Sequence, residues 1–171
     1  MSATRVRFTV EATAAAVRGA RRRVSATVRS WGVSMADESL LPVEVVASEL
    51  LTNALVHAGG GAMTVEVSLD QGLVVITVLD GSTEVPRARA ADPDREGGRG
   101  LVLIDGLCLL HGVERTAHGK RCWAVVPVPA VAGPAPGADH AGVGGGAGPA
   151  YDGVWSLTDG GAELLSRLLT T

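Results

Sequence analysis

Three groups of residues in this chain have the types and the spacing to do chemistry. Glu49, Asn53 and His57 are each four residues apart, so on a helix their side chains form one narrow stripe that drifts about 40° per step. A carboxylate, an amide and an imidazole aligned in this way can meet a single ligand. Val45, Val46, Leu50 and Val56 share that sector of the wheel, so the stripe is expected within an apolar surface, where Glu and Asn need partners. Leu51 and Leu55 lie on the far side and leave open which face is inside. The second group is Asp80-Gly81, delivered to a strand end by the apolar run Leu73 to Leu79. A carboxylate there can accept hydrogen bonds from an exocyclic amine, and the glycine lets a flat base approach the backbone; the same dipeptide is also a common turn. The third is Glu96-Gly97-Gly98-Arg99-Gly100-Leu101, a glycine-rich loop running into a helix. Unpaired N–H groups at a helix N-terminus, together with the dipole, make an anion site that glycines open to phosphate oxygens. It is neither a dinucleotide fingerprint, since the third glycine and an immediately preceding strand are absent, nor a P-loop, since no lysine completes it.

The elements that must position these groups follow from periodicity. Arg5 to Val10 alternates polar and apolar residues, the pattern of a half-buried strand. From about Thr13 to Trp31, Ala16, Val17, Ala20, Val24, Val28 and Trp31 recur at helical spacing up to Gly32, an amphipathic helix. Its Arg18, Arg21, Arg22, Arg23 and Arg29 read as a solvated face, with docking of an acidic partner as the alternative. A second helix is expected over residues 36–59, with Asp37 and Glu38 at its N-terminus and His57 before three glycines at its end, in agreement with the macrodipole. Met63 to Leu69 and Leu73 to Leu79 make a β-hairpin around Asp70-Gln71-Gly72. Ser82 to Gly100 is a polar, arginine-rich stretch with Pro86 and Pro93, long enough to suggest a lid or binding loop. Leu101 to Leu110 is expected as a short apolar helix stopped near Gly112, and Val113 to Thr116 with Arg121 to Pro127 as a closing hairpin turned at His118-Gly119. Strand, helix, helix, hairpin, loop, helix, hairpin describes an α+β fold: a two-layer sandwich with a mixed, mostly antiparallel sheet of about five strands and helices on one face.

Composition narrows the function classes. The 171 residues are 46% hydrophobic and 19% charged with a formal charge of −3, which fits one compact domain and excludes collagen, coiled coil and wholesale disorder. Near-neutral charge argues against a nucleic-acid-binding body. Arg5, Arg7 and Glu11 interrupt the N-terminus, and no run approaches the roughly 18 apolar residues of a membrane span, so a cytoplasmic protein is expected. Cys108 and Cys122 lack C-x-x-C spacing and are read as buried thiols rather than a zinc site or a disulfide framework. Of 23 glycines, seven fall with three prolines between Ala130 and Ala150. The chain therefore divides into a domain over 1–129, a Gly/Ala/Pro-rich linker over 130–150, and a tail over 151–171. As a flexible coil the linker spans roughly 25 Å. In the tail, Trp155, Leu157, Leu164, Leu165, Leu168 and Leu169 return to an apolar pattern expected as a short amphipathic helix. It would dock on its own chain or a symmetry mate, or else recognise a partner or cover the site.

Taken in order, E-L-L-T-N-A-L-V-H-A, a strand ending V-L-D-G, and G-G-R-G-L opening a helix resemble the N, G1 and G2 boxes of the GHKL (Bergerat-fold) ATPases. A-R-R-R-V-x(6)-W-G, V-A-S-E-L-L-T-N-A-L-V-H-A and G-K-x-x-W-A look more closely like the anti-sigma-factor serine kinases of the partner-switching type, in particular the short stand-alone ATP-binding regulators of actinobacteria. The resemblance covers approximately Arg5 to Val128. It implies ATP and Mg²⁺ as cofactors, with Asn53 holding Mg²⁺ through its side-chain oxygen and Glu49 serving as general base toward the attacking hydroxyl. Asp80 would bind the adenine amine with Gly81 against the ring. Gly98 and Gly100, with Leu101 opening the helix, would place backbone donors on the phosphates, while Arg99 and Arg95 could neutralise charge during transfer. His57 matches the pattern and is read as a helix-end residue. The implied function is a serine/threonine protein kinase that binds a sigma factor or similar target and phosphorylates a serine on an anti-anti-sigma-type antagonist protein; a homodimer is expected, with no nucleic acid and no membrane. The alternative is a non-catalytic ATP-binding adaptor. A histidine-kinase catalytic domain fits less well, because the chain has no dimerisation helix pair with a phospho-acceptor histidine. Two departures stand out: the second glycine of the G1 box is absent from Asp80-Gly81-Ser82-Thr83-Glu84, and Lys120-Arg121-Cys122 stands where relatives often place a threonine after Gly-Lys.

Overall fold

The computed structural model describes residues 4–33, 37–57, 60–83, 104–129 and 153–157. In chain order the elements are β1 (Thr4–Glu11), α1 (Ala14–Ser30), α2 (Asp37–His57), β2 (Ala62–Asp70), β3 (Leu73–Asp80), β4 (Leu110–Thr116), β5 (Gly119–Pro127) and β6 (Gly153–Leu157). The strands form one sheet in the order β1-β2-β3-β5-β4-β6, and α1 and α2 pack on one face of it.

The alternating strands sort their residues between the two faces. Phe8, Val65, Val67, Val74, Ile76, Val78, Cys122, Ala124 and Val126 are buried beneath the helices, each aliphatic side chain contributing roughly 1.5–3 kcal/mol. The β2–β3 hairpin closes through Gln71 (φ 46°) and Gly72 (φ 77°), with Asp70 opposite Leu73. Two central residues at positive φ match the twist of the flanking strands.

Helix α1 starts where the Thr13 side chain accepts a hydrogen bond from the Ala16 N–H at 3.2 Å, a side-chain N-cap. It ends where Gly32, at φ 80°, donates to the Arg29 carbonyl at 3.0 Å. Val17, Ala20, Val24 and Val28 are its buried stripe. The arginine face is exposed at Arg18, Arg22 and Arg23, but part of it holds the helix in place. Arg21 donates to Thr52 Oγ1 at 2.6 Å, Arg29 pairs with Glu44 at 3.3 Å, and the Arg23 guanidinium lies 4.1 Å from the centre of the Phe8 ring.

Helix α2 buries Leu40, Val43, Val46, Ala47, Leu50, Leu51 and Ala54. Over the 18 residues Leu40–His57 its mean hydropathy is 1.3, enough by length and composition to cross a membrane, contrary to the expectation that no such run exists. That apolar content packs here against α1, β3 and β5.

The structure corrects the expected sheet in three respects. Among the described residues all five strand pairings are antiparallel, with no parallel pair of the kind a mixed sheet would contain. The stretch expected as a helix to Leu110 is described as a single helical turn over 104–107, and Leu110, His111 and Gly112 open β4 instead. Cys108 N–H closes that turn on the Ile104 carbonyl (3.0 Å), and Leu109 N–H already bonds to Val125 (2.8 Å). A short apolar run fits a helix or a strand by periodicity alone, and the neighbouring strand decided. Finally, Gly153–Leu157, within the tail expected to be helical, is a sixth strand beside β4, with Trp155 opposite Gly112. The 130–150 linker and the helical spacing of Leu164 to Leu169 lie outside the described residues.

Candidate functional site

Antiparallel pairing gathers several of the candidate residues at one end of the sheet. Thr64 of β2 faces Leu79 of β3, so β2 begins where β3 ends, at Asp80. On the other side of β3, Asp80 faces Lys120, the second residue of β5. Helix α2 finishes at His57 and β2 begins at Ala62, a step that extended chain could span over at most about 18 Å. The C-terminal turn of α2 therefore lies at the Asp80 end of the sheet, with Asn53 about 6 Å and Glu49 about 12 Å back along the helix axis.

Glu49, Asn53 and His57 are half-buried. The apolar surface that the wheel suggested around them is only partly buried: Val46 and Leu50 are buried, whereas Val45 is half-buried and Val56 is 69% exposed. The polar stripe follows one margin of the buried face. Glu44 and Thr52 touch arginines of α1. Leu51, placed on the far side of the wheel, is also fully buried.

Asp80 is the anchor of this end. Its side chain has no exposure to solvent, and Oδ1 accepts a hydrogen bond from the Ser82 N–H at 2.8 Å, an Asx turn that holds the carboxylate. The turn and ligand readings of Asp80-Gly81 are therefore compatible, because the turn uses only one oxygen. Oδ2 has no hydrogen-bond partner. Lys120 Nζ lies 3.6 Å from it, in a side chain equally shielded, and also makes no hydrogen bond. That separation is an ion pair but too long for a hydrogen bond. Two buried charges therefore face each other with donors and an acceptor still unused.

Gly119 permits this approach. At φ 147° it enters β5, where an added Cβ would overlap the Asp80 carbonyl oxygen and come within 2.8 Å of the Gly81 Cα. Gly81 itself is exposed, with open space where a Cβ would be, as a surface for a flat ring requires. The motifs alone do not single out Gly119 or Lys120 as site residues, although the strand pattern carries a signal. Lys120 is in phase with Cys122, Ala124 and Val126, the buried face of β5, and a lysine on the apolar phase of a strand needs a reason.

Cys108 and Cys122 form no disulfide and are buried, as expected. Burial pushes the Cys108 thiol up to about 12, with the nearby Asp105 charge adding to it. Burial likewise pushes Cys122 up to about 11; Lys120 opposes the rise and Asp80 adds to it. Both thiols are protonated, and therefore inert, near neutrality. Arg95, Gly98, Arg99, Gly100 and Leu101 lie outside the described residues.

A family model for the histidine kinase-like ATPase domain matches residues 10–126, from the end of β1 to the end of β5. The chain belongs to that family. No curated protein matches it. Among solved structures, a histidine kinase domain from the Erythrobacter litoralis EL346 blue-light activated histidine kinase is similar at 22% identity, with a TM-score of 0.41; the match covers 66% of this chain and 61% of that one.

Histidine kinase-like ATPase domains bind ATP, usually with Mg²⁺, and the described residues fit such ligands. Asp80 Oδ2, with no hydrogen bond among the described residues, has the chemistry of an acceptor for an amine. Among the described residues, no group of three His, Cys, Asp or Glu side chains could hold a metal ion. A magnesium ion here would take its protein oxygen from the Asn53 amide, a hard ligand, and the rest from phosphate and water.

Proposed function

We propose that this histidine kinase-like ATPase domain is an ATP- and Mg²⁺-dependent serine/threonine protein kinase of the anti-sigma-factor type. In this reading it works in the cytoplasm as a homodimer, binds a sigma factor or similar target, and phosphorylates a serine on an antagonist protein. The observation that carries the reading is the Asp80 carboxylate, shielded and holding one unused acceptor, at the same sheet end as the helix that bears Glu49 and Asn53. Asp80 would take the adenine amine, with the ring against Gly81. Asn53 would hold the magnesium ion, whose chemistry is to neutralise phosphate charge. Glu49 would accept the proton of the attacking serine hydroxyl as its oxygen bonds to the γ-phosphorus and the bond to the β-phosphate oxygen breaks, releasing ADP. Gly98, Gly100 and Leu101 would cradle the phosphates with backbone donors, beside Arg95 and Arg99. A second reading, an ATP-binding adaptor without phosphotransfer, draws support from the altered G1 box, Asp80-Gly81-Ser82-Thr83-Glu84, and from the closing strand, where Lys120-Arg121-Cys122 lacks the threonine that relatives often place after Gly-Lys.

Calorimetric titration with ATP and Mg²⁺ tests the shared part: the unmutated protein should bind and Asn53→Ala should bind weakly, and absence of binding by the unmutated protein would overturn both readings. Glu49→Gln separates them. It should still bind ATP while transfer of label from radioactive ATP to protein serine falls at least a hundredfold; unchanged regulation of the partner by Glu49→Gln would favour the adaptor.

A further inference from the structure

We propose that Lys120 is a base-reading residue: with Asp80 it forms a donor–acceptor pair that recognises the amine edge of adenine, Asp80 Oδ2 accepting from the 6-amine and Lys120 Nζ donating to the adjacent ring nitrogen N1. The inference rests on the reading of Asp80 as the site for a nucleotide base.

The geometry assigns the role in three steps. Both side chains have no solvent exposure, and they face each other across the β3–β5 ladder at 3.6 Å. Removing two charges from water is costly, and their attraction offsets it only when the remaining donors and acceptors are satisfied. Among the described residues they are not: Nζ makes no hydrogen bond, and the carboxylate accepts one only at Oδ1. A pair arranged only for stability would close to hydrogen-bonding distance, whereas this pair leaves an acceptor and a donor unused 3.6 Å apart.

The ligand edge that complements it is a hydrogen-bond donor next to an acceptor. Adenine offers that edge as its 6-amine and N1. Guanine in the same pose turns a carbonyl toward Asp80 and an N–H toward Lys120, so it meets like groups at both positions. A hydroxyl side chain at 120 could donate or accept and would discriminate less; an ammonium can only donate. Gly119 makes the arrangement possible, because only a residue without a Cβ lets the start of β5 lie against the Asp80 backbone. Buried polar groups that lose their partner reject the wrong ligand more strongly than an apolar pocket does.

The test compares ATP, 1-deaza-ATP and GTP by titration in the presence of Mg²⁺, first on the unmutated protein and then on Lys120→Met and Lys120→Thr. On the unmutated protein, 1-deaza-ATP should bind about tenfold or more weakly than ATP, the loss of one charge-assisted hydrogen bond, and GTP more weakly still. In either variant ATP should weaken while the gap between ATP and 1-deaza-ATP closes. Equal binding of ATP and 1-deaza-ATP by the unmutated protein would overturn the role of Lys120 and leave the Asp80 reading intact; GTP binding tighter than ATP would overturn both. Failure to bind any of the three nucleotides would overturn the underlying reading itself. Because the decisive analogue comparison needs no substitution, it holds even where Lys120→Met, which strands a buried carboxylate, does not fold.

Discussion

At one end of the β3–β5 ladder Leu73 faces Pro127; at the other, Asp80 faces Lys120. Each end has a glycine where two backbones approach. Gly72 donates nothing unusual: its carbonyl accepts from Val128 N–H at 2.8 Å, and an added Cβ would sit 3.3 Å from the Val128 carbonyl oxygen, a tight but tolerable contact. Gly119 has no such room, since the same addition would overlap the Asp80 carbonyl oxygen. The first end closes a hairpin and leaves Leu73 36% exposed. The second excludes water from two opposite charges without satisfying them. Closure of a sheet needs only backbone hydrogen bonds; a shielded pair with unused hydrogen-bonding capacity is what a ligand site needs and what stability alone does not favour.

Four substitutions or measurements bear on this contrast. The largest effect is expected from Gly119→Ala, which should cost more than about 4 kcal/mol and abolish ATP binding, as read by urea unfolding and titration; a cost near that of Gly72→Ala would erase the difference between the two ends. Asp80→Asn removes one member of a buried pair and should cost about 3 kcal/mol, again with loss of ATP binding. Gly72→Ala places a side chain at positive φ and should cost about 1–2 kcal/mol while leaving ATP affinity unchanged; a fall in affinity would extend the site to the far end. The smallest effect concerns Cys122, two residues along β5 from Lys120. Its folded-state pKa of about 11 lies above the ordinary 9.0, so the contribution of the neutral thiol is complete below pH 9 and lost as pH rises through 11. The unmutated protein should therefore lose stability more steeply over that window than Cys122→Ala, and parallel curves would mean that the thiol is not shielded.

The elements that could be read from sequence are those whose pattern is local. α1 shows a Thr cap, a stripe at helical spacing and a terminal glycine, and the structure ends it within a residue of expectation. The β2–β3 hairpin is equally legible, because alternation and an Asp-Gln-Gly turn point the same way. The run from Leu101 to Leu110 is not: its apolar residues satisfy either period, and pairing with β5 draws Leu110 to Gly112 into a strand. Nor is β6, whose five residues become a strand only by pairing with the exposed edge of β4. Within the site, the Glu49–Asn53–His57 stripe is written in the four-residue spacing, but its environment is not. Whether Val56 or Leu51 is buried depends on where α1 and the sheet lie, and the arginine contacts to Thr52 and Glu44 settle it.

By itself the sequence determined which residues could do chemistry and which share a face, because periodicity, capping and turn residues act over a few positions along the chain. Only the tertiary structure decided that Lys120 stands opposite Asp80. Register across β3 and β5 joins residues forty positions apart, and it depends on how the strands pack against the helices and on one glycine without a Cβ, neither of which any local pattern encodes.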